Sequence, residues 1–166
     1  EYNANYVATK LMDNSVGATD IWASSSTTPP MWIKYTFPTS KTLKRYRMWA
    51  RNGYAGYAPK DWQLRGVASG VTYDLNNAST YTVLDTKTGI TNWANTPSTA
   101  LTNMTDYQEG IISSPGNYLT YVIHITGTNG SSRTQLSEIA LYSYQDKSVE
   151  GVKVTLKNSG SDVDAL

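Results

Sequence analysis

Met31-Trp-Ile-Lys-Tyr-Thr-Phe37 alternates between two faces, with Met31, Ile33, Tyr35 and Phe37 on one and Trp32, Lys34 and Thr36 on the other. A period of two is the signature of a half-buried β-strand, because successive side chains of a pleated chain point to opposite sides. The pattern returns in Tyr46-Arg-Met-Trp-Ala-Arg51, Asp61-Trp-Gln-Leu-Arg-Gly66, Tyr81-Thr-Val-Leu84, Tyr118-Leu-Thr-Tyr-Val-Ile-His-Ile125, Glu138-Ile-Ala-Leu-Tyr-Ser-Tyr144 and Val152-Lys-Val-Thr-Leu156. Clusters of Gly, Pro, Asn and Ser separate these runs. No segment sustains a 3.6-residue period beyond about two turns, so helix is expected at most as a turn within 4–12. The expected class is all-β, an antiparallel sandwich or barrel with long connections.

The 166 residues fit one domain, or one domain with a short appendage, and suffice to bury a core without cross-links. Only 16% of residues are charged while Ser, Thr and Asn number 51, which predicts a neutral-polar surface. A net charge of +1 without a basic run argues against nucleic acid and against membrane-surface attraction. Apolar stretches are only a few residues long, which argues against membrane insertion. Absence of cysteine removes disulfides, thiolate chemistry and Cys-based zinc sites. His124 is the one histidine, and its alternation with Ile123 and Ile125 puts it on a sheet's outer face, solvated or packed under a loop, without a catalytic role.

The aromatic set, 13 Tyr and 5 Trp against a single Phe, divides between core and surface. Alternation assigns Tyr35, Tyr46, Trp62, Tyr121 and Trp22 to the interior. Trp32 is expected to be structural, and Trp49, between Arg47 and Arg51 on the polar face of its strand, to be partly covered by a loop. Two connections are long: Asn52-Gly-Tyr-Ala-Gly-Tyr-Ala-Pro59, whose two tyrosines have only small neighbours, and 89–108, which carries Trp93 in polar surroundings. Long loops on a rigid sandwich are where binding is usually placed.

Several motifs, taken in order, resemble a known family. Leu11-Met-Asp13 with Trp22-Ala-Ser, then Trp32-Ile-Lys-Tyr-Thr-Phe37, then Ala50-Arg-Asn52 and Ala58-Pro-Lys-Asp-Trp-Gln-Leu-Arg-Gly66 come first. Leu84-Asp-Thr-Lys-Thr-Gly89 with Trp93, the run from Tyr118 to Thr126, and Leu136-Ser-Glu-Ile-Ala-Leu-Tyr142 follow. Together they resemble a coagulation-factor V/VIII type C domain, also called discoidin-like, of the galactose-binding-like superfamily that includes the family-32 carbohydrate-binding modules. The resemblance runs from Tyr2 to Tyr144 and is specific as an ordered set. It implies an antiparallel jelly-roll β-sandwich, in accord with the period-two reading.

The resemblance also implies a structural calcium, held by hard oxygen donors near the chain-terminal loops. Asp13 and Glu138 stand at the corresponding positions. The spacing from Asp13 to Trp22 is about two residues longer than the family pattern, and Asp20 stands where a Thr is common, so either Asp20 or Thr19 is the remaining ligand. A second implication is glycan binding on the loops at one end of the sandwich. Sugars offer a C–H face to an aromatic ring and hydroxyls to planar donors and acceptors. Arg51 and Asn52 fit the donor role, Tyr54, Tyr57 and Trp93 the platform, and Arg133 the same rim from the last long loop; Trp93 serves equally well as a plug.

The expectation is therefore a non-catalytic module that attaches a larger extracellular, secreted or virion-associated protein, such as a phage tail or fibre protein or a multidomain glycosidase, to a cell-surface glycan or polysaccharide. The competing expectation is a structural or protein-interaction module of an oligomeric fibre or multidomain protein, without sugar binding. A hydrolase would need two carboxylates across a cleft, and no such pair stands out. Residues 1–146 are expected to form the sandwich, and 147–166 a linker or the first strand of a following module.

Overall fold

The computed structural model describes residues 8–101 and 103–143, together with the backbone of 156–158 and 161–163. Two four-stranded antiparallel sheets face each other. One has the order β1 (Trp22–Ala23), β8 (Gln135–Tyr142), β3 (Arg45–Ala50), β6 (Tyr107–Ile111); the other β2 (Met31–Thr42), β7 (Asn117–Thr128), β4 (Pro59–Val67), β5 (Thr82–Lys87). Consecutive strands fall in opposite sheets at several steps, as in a jelly roll. The fold is an antiparallel β-sandwich of two sheets. The described part of the C-terminal segment is one further antiparallel pair, β9 (Leu156–Asn158) with β10 (Ser161–Val163). The rest of that segment, and residues 4–7 of the expected turn, lie outside the described residues; within 4–12 a 3-10 turn forms at Ala8–Leu11.

Alternation places the core as expected. Met31 and Ile33 of β2 share one sheet face with Ile123 and Ile125 of β7 and Trp62 and Leu64 of β4, and they form one cluster with Tyr46 and Met48 of β3 from the other sheet, all buried. Tyr35 and Phe37 pack half-buried at its edge. The two sheets are joined through polar groups as well: the Trp62 indole N–H donates to the Tyr46 hydroxyl at 2.8 Å, and that hydroxyl donates to Asp85 at 2.7 Å. The Trp62 indole N–H and the Tyr46 hydroxyl are thereby partnered, which removes the cost of burying them bare.

Strand β6 was not legible as a strand, because Tyr107-Gln-Glu-Gly-Ile lacks alternation and contains a glycine. The glycine is structural. A Cβ on Gly110 would lie 1.9 Å from the Tyr46 ring, which occupies that space.

Two aromatics differ from expectation. Trp49, expected to be partly covered, is 1% exposed: Val16 and Tyr107 cover it on the outer face of its sheet, the Tyr107 ring at 5.2 Å. Trp32, expected to be structural, is 48% exposed. His124 does lie on an outer face but is buried there at 5%, opposite Trp32 of β2 and Gln63 of β4. Burial, with the nearby Arg65 charge adding to it, lowers its pKa to about 4.

Candidate functional site

At one end of the sandwich the connections 24–30, 51–58, 88–106 and 129–134 are tied to one another. The Gly53 N–H donates to the Asn95 carbonyl at 2.6 Å and the Ala55 N–H to the Asn95 side-chain oxygen at 3.2 Å, which fixes the tyrosine loop to the loop carrying Trp93. Asn129 donates to the carbonyls of Ile90 at 2.9 Å and Pro59 at 3.2 Å. Arg133 donates to the carbonyls of Ser24 at 3.1 Å and Ser25 at 2.8 Å. Gly53 takes φ of +80°, a conformation that side-chain-bearing residues seldom adopt, and so lets the loop turn back.

Arg51, Asn52, Tyr54 and Tyr57 are brought together here. The Arg51 guanidinium donates through Nε to the Ala18 carbonyl at 2.7 Å and through a terminal nitrogen to the Gln135 side chain at 2.9 Å. Its planar group lies 3.9 Å from the centre of the Tyr54 ring. Tyr54 meets Tyr57 edge-on at 6.0 Å, and the chain between them forms a 3-10 turn, Ala55–Tyr57, that sequence alone did not indicate. Tyr54 is 43% exposed. The half-buried Asn52 at the start of the loop keeps its amide free of hydrogen bonds to described residues. An exposed ring held by a stacked arginine, next to a free amide that both donates and accepts, is suited to a ligand with a C–H face and flanking hydroxyls.

Of the two readings of Trp93, platform and plug, the burial of the indole supports the plug. Trp93 is 7% exposed, donates its indole N–H to the Pro59 carbonyl at 2.8 Å and packs against Trp62 at 5.8 Å. It plugs the end of the core. Arg133 has its guanidinium committed to the 24–30 loop and acts there as a brace. Asn95 and Asn129, which sew the rim together, went unnoticed in the sequence because asparagine in a loop looks the same whether or not its amide spans to another segment.

Of the four residues expected at a cation, Asp13, Thr19 and Asp20 lie on the loop whose Ala18 carbonyl accepts from Arg51, and Glu138 lies on β8. Lys10, unremarkable in the sequence, puts its Nζ 2.6 Å from Asp20 and 3.5 Å from Asp13. Those contacts pull the Asp20 carboxyl below its ordinary range, the hydrogen bond from Lys10 contributing most. Thr19 is exposed on the same loop. Glu138 is 2% exposed; its Oε1 accepts from the Ile139 N–H at 3.2 Å, and its Oε2 has no hydrogen-bond partner. Burial, with the Asp13 charge adding to it, pushes the Glu138 carboxyl up to about 7. Among the described residues no three acidic or histidine side chains converge closely enough to hold a metal. The Asp13 carboxylate and the buried Glu138 carboxyl, which the backbone N–H groups of Asn14 and Ser15 also approach, are hard oxygens of the kind that a cation such as calcium takes.

The remaining buried or paired carboxylates have structural partners. Asp85 takes the Tyr46 hydroxyl, Asp61 the Gly89 N–H at 2.8 Å, Asp106 the Ser98 N–H, and Glu109 lies 2.9 Å from Arg47 and 3.4 Å from Arg45. No helix among the described residues is long and apolar enough to cross a membrane.

No protein-family model matches this chain, and no curated protein does. Solved structures do. The family-32 carbohydrate-binding module of NanJ from C. perfringens, solved with galactose, superposes with a TM-score of 0.62 at 12% identity over 84% of this chain and 86% of that one. Chitosan-binding module 2 of a chitosanase/glucanase from Paenibacillus sp. IK-5, solved with chitotriose, gives 0.59 at 16% identity over 85% and 89%. The F5/8 type C domain of a Bacteroides fragilis protein gives 0.61 at 18% over 86% and 83%. At these identities the likeness is one of fold.

Proposed function

With the discoidin-like sandwich as premise, we propose that this chain is a non-catalytic carbohydrate-binding module whose site is the rim formed by Arg51, Asn52, Tyr54 and Tyr57. The observation that carries the reading is Tyr54, exposed and backed by the Arg51 guanidinium beside the free Asn52 amide. The ring takes the C–H face of a sugar, Asn52 takes its hydroxyls, and Arg51 positions both. Two solved structures of the same fold hold galactose and chitotriose, which supports the ligand class. A single small site of this kind binds weakly, so the module acts as one of several attachment points, on a secreted multidomain enzyme or a virion fibre, to a cell-surface glycan. A glycan array tests the ligand class: binding to a related group of oligosaccharides supports it, and no binding, together with self-association in ultracentrifugation, gives the role to a protein-interaction or spacer module.

Calcium belongs to the same proposal. Asp13 and Glu138 would hold it, with Asp20 or Thr19 adding an oxygen once Lys10 is displaced, and the ion's part is structural, joining the first loop to the last strand of the sandwich. The pH dependence gives a test. Glu138 stays protonated in the fold up to about 7 against an ordinary 4.5, so its contribution to stability is present at low pH and is lost as pH rises through about 7. His124 has the opposite sign: with its pKa lowered from 6.5 to about 4, stability falls as pH drops below 6.5. The two slopes oppose each other between about pH 5 and 6.5, so Glu138→Gln is expected to expose the histidine slope, its Tm rising with pH relative to wild type. Calcium must expel the Glu138 proton, so calorimetric affinity for calcium in EDTA-stripped protein is expected to tighten by up to about tenfold per pH unit below 7 and to level above it. Absence of calcium heat and of any calcium-induced rise in Tm would remove the ion from the account.

A further inference from the structure

A cleft of about 440 Å³ opens between the edge strands β1 and β2, beside the 24–30 connection. Its size falls within the roughly 300–1,000 Å³ of small-ligand sites. Trp32 and Lys34 line it from the outer face of β2, and Ser24, Ser25 and Ser26 line it from the following connection. Trp32 is the one indole in the chain that reaches solvent: the other four tryptophans are all buried. The ring is steadied by Tyr73, edge-on at 6.5 Å, and by the Lys34 ammonium 6.0 Å from its centre. Arg133 pins the serine segment through the Ser24 and Ser25 carbonyls, so the opposite wall is also fixed.

We propose that this cleft is a second binding site, for a carboxylated sugar such as a uronic acid residue of a polysaccharide. Trp32 takes the C–H face of the pyranose, as an exposed, braced indole does well. Lys34 is exposed, has no ion-pair partner among the described residues, and is the one charge among the described lining residues, with no carboxylate to oppose an anion. An ammonium is a point charge that suits a carboxylate without demanding a two-pronged geometry. The exposed Ser25 hydroxyl is placed to take ring hydroxyls. The inference goes beyond the rim site but rests on the glycan-binding reading for its ligand class. Two sites on one module would let it contact two segments of the same polymer.

The test is a titration of the ¹⁵N-labelled protein with trigalacturonate, following the Trp32 indole N–H, assigned by its disappearance in Trp32→Phe. A saturable shift is expected, weakened about tenfold or more by Lys34→Ala and by methyl esterification of the sugar, and within about twofold of wild type in Tyr54→Ala. All three substituted side chains are exposed, and an unchanged Tm confirms that the fold persists. An unmoved Trp32 signal at saturating sugar, equal binding of the ester, or loss of the shift in Tyr54→Ala would each overturn the second site. Failure of the rim reading shows separately, as neutral oligosaccharides that bind nowhere while the Trp32 shift persists.

Discussion

Gly110→Ala is expected to cost upwards of about 4 kcal/mol and to leave the sandwich largely unfolded at ambient temperature. The added methyl would lie 1.9 and 2.2 Å from two carbons of the Tyr46 ring and 2.5 Å from an Asp85 oxygen. Relief requires the ring to move. Tyr46 is fully buried, however, and its hydroxyl is held between the Trp62 indole and the Asp85 carboxylate. Moving it strips those partners inside the core, at about 1–3 kcal/mol for each polar group left bare. Gly56→Ala is the control, since its methyl meets one carbonyl oxygen at an ordinary 3.6 Å. Its urea midpoint should match wild type. A Gly110→Ala midpoint near wild type would mean that β6 does not lie over Tyr46.

Arg51→Ala is expected to weaken oligosaccharide binding by about thirtyfold or more, roughly 2 kcal/mol. One guanidinium holds the Ala18 carbonyl, the Gln135 side chain and the face of Tyr54, so its loss frees the platform and the loop below it together. Arg51→Lys keeps the charge but loses the planar fork and the stacking, and should recover only part of the affinity. Trp93→Phe separates structure from binding. It removes the hydrogen bond to Pro59 at a cost of about 1 kcal/mol in stability and should leave affinity unchanged. A Trp93→Phe protein of normal Tm that no longer binds would return Trp93 to the site.

Period-two alternation carried most of the fold, because one buried face per strand is what the pattern encodes. Met31, Ile33, Leu64 and Ile123 are where it puts them. It failed where a second layer covers the outer face. Trp49 does point outward, but Val16 and Tyr107, distant in sequence, close over it. Trp32 points outward too and stays open. Nothing within either strand distinguishes the two. In the candidate site, the Arg51 to Tyr57 loop is legible from its two tyrosines among small residues, whereas for Trp93 the sequence leaves platform and plug equal, and its indole on the Pro59 carbonyl decides for the plug. Lys10 was invisible for a related reason: a lysine beside a turn becomes informative only once Asp13 and Asp20 converge on it.

The most direct test of the glycan-binding rim is isothermal titration calorimetry of wild type and Tyr54→Ala with an oligosaccharide selected on the array. Tyr54 is exposed, so removing its ring should leave the core and Tm close to wild type. The account predicts saturable binding by wild type, with Kd between about 10 μM and 1 mM, and a loss of about tenfold or more in Tyr54→Ala. Equal affinity in the two proteins would contradict it.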